Sequence, residues 1–136
     1  MSKYKDIVEN RKLTNLHIVL TSIVSALANF GILNQGCSNI IGYDVGRKIA
    51  KYIKETSNNI PQKEDELIDF IIKYCEISDD YIITNNKIGI KIDKCKYCPK
   101  QIGEAEISGS ACILPALIIS CLSELKNKEY KLKYNK

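Results

Sequence analysis

The chain has 136 residues, 45% of them apolar, and a net charge of +4 from 20 Lys and Arg against 16 Asp and Glu. That length supports one domain with a real core, and that apolar content excludes a disordered chain. The excess charge is mild and sits at the two ends, in Lys3, Lys5, Arg11 and Lys12 and again in Lys126, Lys128, Lys131, Lys133 and Lys136. It makes no basic stripe with reading side chains, so no nucleic-acid partner is expected.

Residues 1 to 12 are polar and read as a frayed segment or a short helix. The first residues are charged and no small-residue cleavage site follows, which is not a signal-peptide pattern. The apolar run from Leu16 to Leu33 is broken by His17, Thr21, Ser22, Ser25 and Asn29, too polar for a membrane span. The chain therefore reads as cytoplasmic. There, six cysteines point to metal ligands, redox thiols or core residues more than to disulfides.

The first main helix is predicted from Asn15 to Leu33. Leu16, Leu20, Ile23, Leu27 and Phe30 fall on one stripe, Ser22, Ser25 and Asn29 lie on the far side, and His17 flanks the stripe. Gly31 and the run Asn34-Gln35-Gly36 end it. A second helix opens at Cys37-Ser38-Asn39, capped by Ser38 or Asn39, with Ile41, Val45, Ile49, Tyr52 and Ile53 as its expected buried face. Gly42 and Gly46 sit four apart inside it. Glycine is unfavourable there, and close packing against another backbone is its expected reason, ahead of a ligand-facing surface. A third helix starts near Pro61, carries Glu64, Asp65 and Glu66 in its first turns, and ends at Cys75.

The period then changes. Tyr81-Ile82-Ile83-Thr84, a turn at Asn85-Asn86-Lys87, and Ile88 to Asp93 read as a hairpin with one buried face. A cysteine loop follows, then a short strand at Glu104 to Ile107. A last helix runs from Cys112 or Ile113 to Leu125, with Leu114, Ile118, Cys121 and Leu125 on one stripe. Cys121 reads as a core thiol there. The tail from Glu129 to Tyr134 alternates like an edge strand.

The stretch with most chemistry is Cys95-Lys96-Tyr97-Cys98-Pro99, followed by Cys112. Two cysteines with a two-residue gap can turn both sulfurs to one side. Cys95, Cys98 and Cys112 therefore make three thiolates of a tetrahedral zinc site. Cys37, Cys75 and His17 compete for the fourth place, with water or a bound ligand as the alternative. A redox pair at Cys95 and Cys98 competes with the metal. It lacks the strand-to-helix setting of a thioredoxin site, because Pro99 and a long loop follow. No Ser/His/Asp set, phosphate loop or dinucleotide fingerprint is present, and a single His limits general-base chemistry, so no enzyme activity is predicted.

The segment Gly42-Tyr43-Asp44-Val45-Gly46-Arg47-Lys48-Ile49-Ala50, the hairpin, and Ala111-Cys112-Ile113-Leu114-Pro115-Ala116-Leu117-Ile118 together resemble the 4-vinyl reductase domain family. The resemblance covers roughly residues 35 to 134. It implies an α+β domain similar to TRAPP-subunit-like ligand-binding domains, a homodimer, and a small apolar or tetrapyrrole-like ligand. The resulting expectation is a single domain over 1–136, with an N-terminal helical segment over 1–34 and a ligand-binding domain over 35–136. Its helices pack on one face of a small antiparallel sheet, and its apolar pocket lies between helices and hairpin. The alternative function is a thiol or metal redox sensor acting through a partner protein; a metal-dependent enzyme comes third.

Overall fold

The computed structural model describes residues 3–32, 34–84, 89–93, 95–97 and 112–131. The element order is α1 (Lys3–Arg11), α2 (Asn15–Asn29), α3 (Gln35–Thr56), α4 (Glu64–Tyr74), β1 (Asp80–Thr84), β2 (Gly89–Asp93) and α5 (Leu114–Lys126). The class is α+β, as expected: five helices with a two-stranded antiparallel sheet among the described residues. The expected strands at Glu104 to Ile107 and over 132–134 fall outside them, as does the hairpin turn. Residues 129–131 are not in a strand. Among the described residues no helix is long and apolar enough to cross a membrane.

The centre of the fold is the crossing of α3 and α5. The helix pair meets on small residues, because Gly42 and Gly46 let backbone touch backbone. A Cβ on Gly42 would stand 2.5 Å from the Ile113 carbonyl oxygen and 2.8 Å from the Ala116 Cβ. A Cβ on Gly46 would run into the Leu117 carbonyl oxygen and the Ser120 Cβ. The Ser120 hydroxyl donates to the Tyr43 carbonyl across the same seam at 2.5 Å. This small-residue face, Ser38, Gly42, Gly46, Ala50 and Ile53, is the buried side of α3. It displaces the expected stripe: Val45 and Ile49 are half-buried, whereas Ile41 and Tyr52 are exposed. Close approach across the seam gives more contact than larger side chains at a wider separation could.

Around that seam the core is aliphatic. Ile53, Leu67, Ile68, Ile71, Ile72, Ile77, Leu117, Ile118, Cys121 and Leu122 are buried in one cluster. Cys121 is thus a core thiol, fully buried, with its pKa pushed up to about 12 by that burial and then by the nearby Cys75. The hairpin pairs Tyr81 with Ile92 and Ile83 with Ile90, and these four side chains pack on the same core. Ile82, on the opposite face of β1, is exposed, as period-two alternation requires.

Helix ends are set by local chemistry. Asn34, rather than Ser38 or Asn39, caps α3, its side chain accepting the Cys37 N–H at 3.0 Å. Pro115 occupies the first turn of α5, where its missing N–H costs nothing. The α5 helix ends with Asn127 in the left-handed conformation (φ 52°), a residue that tolerates it. The acids in the first turn of α4 lie where the helix dipole favours them.

Helix α2 departs most from expectation. It ends at Asn29 instead of Leu33, and it is turned over. His17, Thr21 and Ser25 are its buried residues. Leu16, Val19, Leu20, Ile23 and, just past its end, Phe30 are exposed. Periodicity located two faces correctly but could not say which one meets the body.

Candidate functional site

The cysteine-bearing end of the molecule is built on the way α4 stops. Its C-cap is Cys75, and Glu76 follows in the left-handed region (φ 52°). The Glu76 N–H bonds to the Lys73 carbonyl at 3.2 Å and the Ile77 N–H to the Ile72 carbonyl at 3.1 Å, which reverses the chain sharply. A non-glycine residue in that conformation is strained by about 1 kcal/mol. His17 helps hold it: Nε2 lies 2.9 Å from the Glu76 carbonyl oxygen.

The other ring nitrogen is also engaged. The Thr14 N–H donates to His17 Nδ1 at 3.0 Å, which leaves Nε2–H as the donor to Glu76. Thr14 in turn caps α2, its hydroxyl oxygen accepting the His17 N–H at 3.3 Å. This is a capping box with histidine in the place usually filled by Glu or Gln. His17 therefore has a structural role in this arrangement and no lone pair to offer an ion. The signal was present as Thr14-x-x-His17.

The loop that follows β2 docks beside this turn. The Lys96 N–H donates to the Ile77 carbonyl at 2.8 Å, and the Tyr97 hydroxyl donates to the Cys75 carbonyl at 2.8 Å. Lys96 is buried except near its tip, where Nζ lies 3.3 Å from Asp79 Oδ2. From the other side, Arg11 Nη1 donates to the Cys95 carbonyl at 2.8 Å, and the His17 ring meets the Tyr97 ring edge-on, with centroids 4.7 Å apart. Helices α1 and α2 thus clamp Cys95 and Tyr97 against the end of α4.

Two of the candidate thiol ligands lie near Tyr97. Cys75 and Cys95 both lie beside Tyr97, whose phenol is pushed up to about 12 by burial and then by these neighbours and Glu76. The Cys75 thiol is pushed up to about 11 by burial. Cys112 packs on the same core from the start of α5, and its carbonyl accepts from Gln35 Nε2 at 3.0 Å. Cys37 lies in the first turn of α3, half-buried. Cys98 lies outside the described residues. Among the described residues no three Cys, His, Asp or Glu side chains gather around one point. A tetrahedral site would need Cys98 to join Cys95 and Cys112, and of the candidate fourth ligands Cys75 and His17 both lie beside Tyr97.

A second feature lies on the outer side of α4. Pro61, Asp65, Glu66, Asp69, Phe70, Lys73, Tyr74 and Ile83 line a surface depression of about 760 Å³. Phe70 and Tyr74 stack along it at 6.2 Å. Asp69 accepts a hydrogen bond from the Tyr81 hydroxyl and pairs with Lys73 at 3.0 Å. The Tyr81 bond, then Lys73, hold the Asp69 carboxyl below its ordinary range. A depressed carboxylate stabilises the fold above the unfolded value near pH 4, and that contribution fades as pH falls through the folded value. Asp69 is well exposed, so the effect is modest. Tyr81→Phe is expected to lose about 0.5 kcal/mol at pH 7, with the difference from the parent protein shrinking as pH falls through the depressed Asp69 value. Urea unfolding of both proteins across pH 2.5–7 checks this; a pH-independent difference would refute it.

Comparison with known proteins places the chain outside the family it resembles at first reading. The 58%-identical uncharacterized protein MJ1342 of Methanocaldococcus jannaschii aligns over 87 residues, 64% of this chain and 76% of that protein. No solved structure matches the chain. The 4-vinyl reductase resemblance is overturned, since the family model that matches is a different one. The glycine pair that carried the resemblance is accounted for by the contact of α3 with α5, which any closely crossing helix pair would favour. The matching model is that of the MJ0207 family, over residues 31–136, and the chain belongs to that family.

Proposed function

We propose that this chain is a regulatory binding domain in which Cys95, Cys98 and Cys112 hold a zinc ion and the state of their loop is passed to a partner protein through α1 and α2. The observation that carries this reading is the clamp: Arg11 on the Cys95 carbonyl and His17 on the Tyr97 ring. Whatever orders the loop steadies the seat of these two helices, and whatever loosens it loosens that seat. Zinc would order it, because thiolate binding couples to folding. Oxidation of the thiolates would release the metal and free the loop.

Cys75 takes the fourth place in this reading because it lies, with Cys95, beside Tyr97. Its half-buried thiol stays protonated at neutral pH unless a cation compensates it, and a metal would supply that compensation. A small apolar ligand is the second reading. It is supported by the aromatic depression beside Phe70 and Tyr74, which α4 lines together with Ile83 of the hairpin.

The test is metal content of protein purified without added metal, repeated on Cys98→Ser. One zinc per chain, lost in the variant with a lowered melting temperature, is the expected result. A metal-free parent protein would remove the zinc reading and leave a thiol pair as the sensing group.

A further inference from the structure

The exposed face of α2 has the pattern of a coiled-coil seam. Leu16, Val19, Ile23, Ala26 and Phe30 are spaced three, four, three and four residues apart, the a and d positions of two heptads. All five are exposed, Leu16 at 72% and Phe30 at 81%. On the opposite side of the same helix His17, Thr21 and Ser25 are buried, and the Thr21 hydroxyl is buried without a hydrogen-bond partner among the described residues. A contiguous apolar face turned outward on a helix seated by its polar edge marks a surface for another partner to cover.

We propose that the cover is a second copy of this chain, with α2 packed antiparallel on its counterpart about a two-fold axis near Ile23. Size supports it. Leu16, Val19, Leu20, Ile23, Phe30 and Ile32 together expose on the order of 700 Å² (judged from their fractional exposure), close to the roughly 800 Å² each partner gives to a specific interface.

Flank chemistry selects the partner and its direction. No residue from Asn15 to Asn29 is an Asp, Glu, Lys or Arg, so no like charges oppose self-pairing, and none is present to select a charged partner. One flank of the seam is apolar, Leu20 and Leu27; the other is polar, Asn15, Ser22 and Asn29. An antiparallel pair places like flank against like flank: Leu20 meets the second copy's Leu27, and Ser22 and Asn29 meet their own kind. A parallel pair would set leucines against asparagine and serine. Ala26 in the seam and Ser22 beside it allow close approach. The matched family segment begins at residue 31, so the pairing helix lies ahead of it.

This proposal takes from the proposed function only the availability of α2's outer face. Its failure is read by oligomeric state, and failure of the metal reading by zinc content. The full chain, studied by sedimentation velocity over about 1–100 µM, is expected to be a dimer. Ile23→Glu is expected to weaken it by ~100-fold or more, the loss typical of a central anchor, with unchanged circular dichroism because Ile23 is outside the core. Direction is tested by two double variants. Leu20→Glu with Leu27→Lys restores opposite charges across an antiparallel pair and is expected to dimerise in a salt-sensitive way. Leu20→Glu with Leu27→Glu is expected to be monomeric. A folded monomer at 100 µM would overturn the proposal, as would a dimer indifferent to Ile23→Glu. Equal behaviour of the two double variants would overturn the antiparallel arrangement. A monomer that binds phosphatidylcholine–phosphatidylglycerol vesicles through the same face would overturn it in favour of a membrane surface.

Discussion

Gly46→Ala is expected to lower the stability of this protein by about 2 kcal/mol and its melting temperature by roughly 5–10 °C. The direction opposes helix propensity, which favours alanine over glycine by about 1 kcal/mol in a helix interior. Packing decides the outcome. The new methyl group would run into the Leu117 carbonyl oxygen and the Ser120 Cβ, and a carbonyl held within α5 cannot swing aside. The two helices must separate, and every contact along the seam weakens with them. Gly46→Leu is expected to abolish folding. Gly36→Ala provides the control, since its methyl would meet only Asn34 Oδ1 at 3.4 Å, an ordinary contact; that variant is expected to be as stable as the parent or slightly more so. Thermal unfolding of the three variants checks the argument. A Gly46→Ala protein as stable as Gly36→Ala would mean that α3 and α5 do not cross this closely.

His17→Ala is expected to cost about 2–3 kcal/mol, and its signature should be local. The substitution removes a buried ring, orphans the Glu76 carbonyl at a strained left-handed turn, and takes away the edge-on partner of Tyr97. It also breaks the capping box that starts α2, leaving only the Thr14 hydroxyl on the helix end. Amide hydrogen exchange should therefore accelerate strongly over residues 14–25 and 95–97, while α3 and α5 keep most of their protection. Uniform acceleration across all helices would show that His17 supports the core generally and does not seat the helical clamp. Exchange unchanged at residues 95–97 would show that the cysteine loop is held without it. Either result would remove the link between loop and helix on which the proposed function depends.

Much of this architecture was legible in the residues. Period-3.6 stripes marked the helices, period-two alternation at Ile88, Ile90 and Ile92 marked the hairpin, and Cys121 among Leu114, Ile118 and Leu125 marked a core position. Local rules sufficed for α4, the hairpin and α5 because each of these buries the face its own pattern makes apolar. The spacing of the cysteines made them candidate ligands, but it could not say which of them stand near Tyr97; Cys75 and Cys95, twenty residues apart, both lie beside it through the turn at Glu76 and the docking of Tyr97.

Tertiary structure decided the rest, for two physical reasons. On α3 the bulky stripe lost to the small one: closeness of approach to α5, set by Gly42 and Gly46, outweighed the area that Ile41 and Tyr52 would have buried. On α2 a single specific attachment, His17 to Glu76 and Tyr97, fixed the helix by its polar edge and left its apolar edge facing outward. By itself the sequence determined that α2 has two unlike faces. Only the packing determined which face meets the body, because a pattern of hydrophobicity specifies that a surface should be covered without specifying by what.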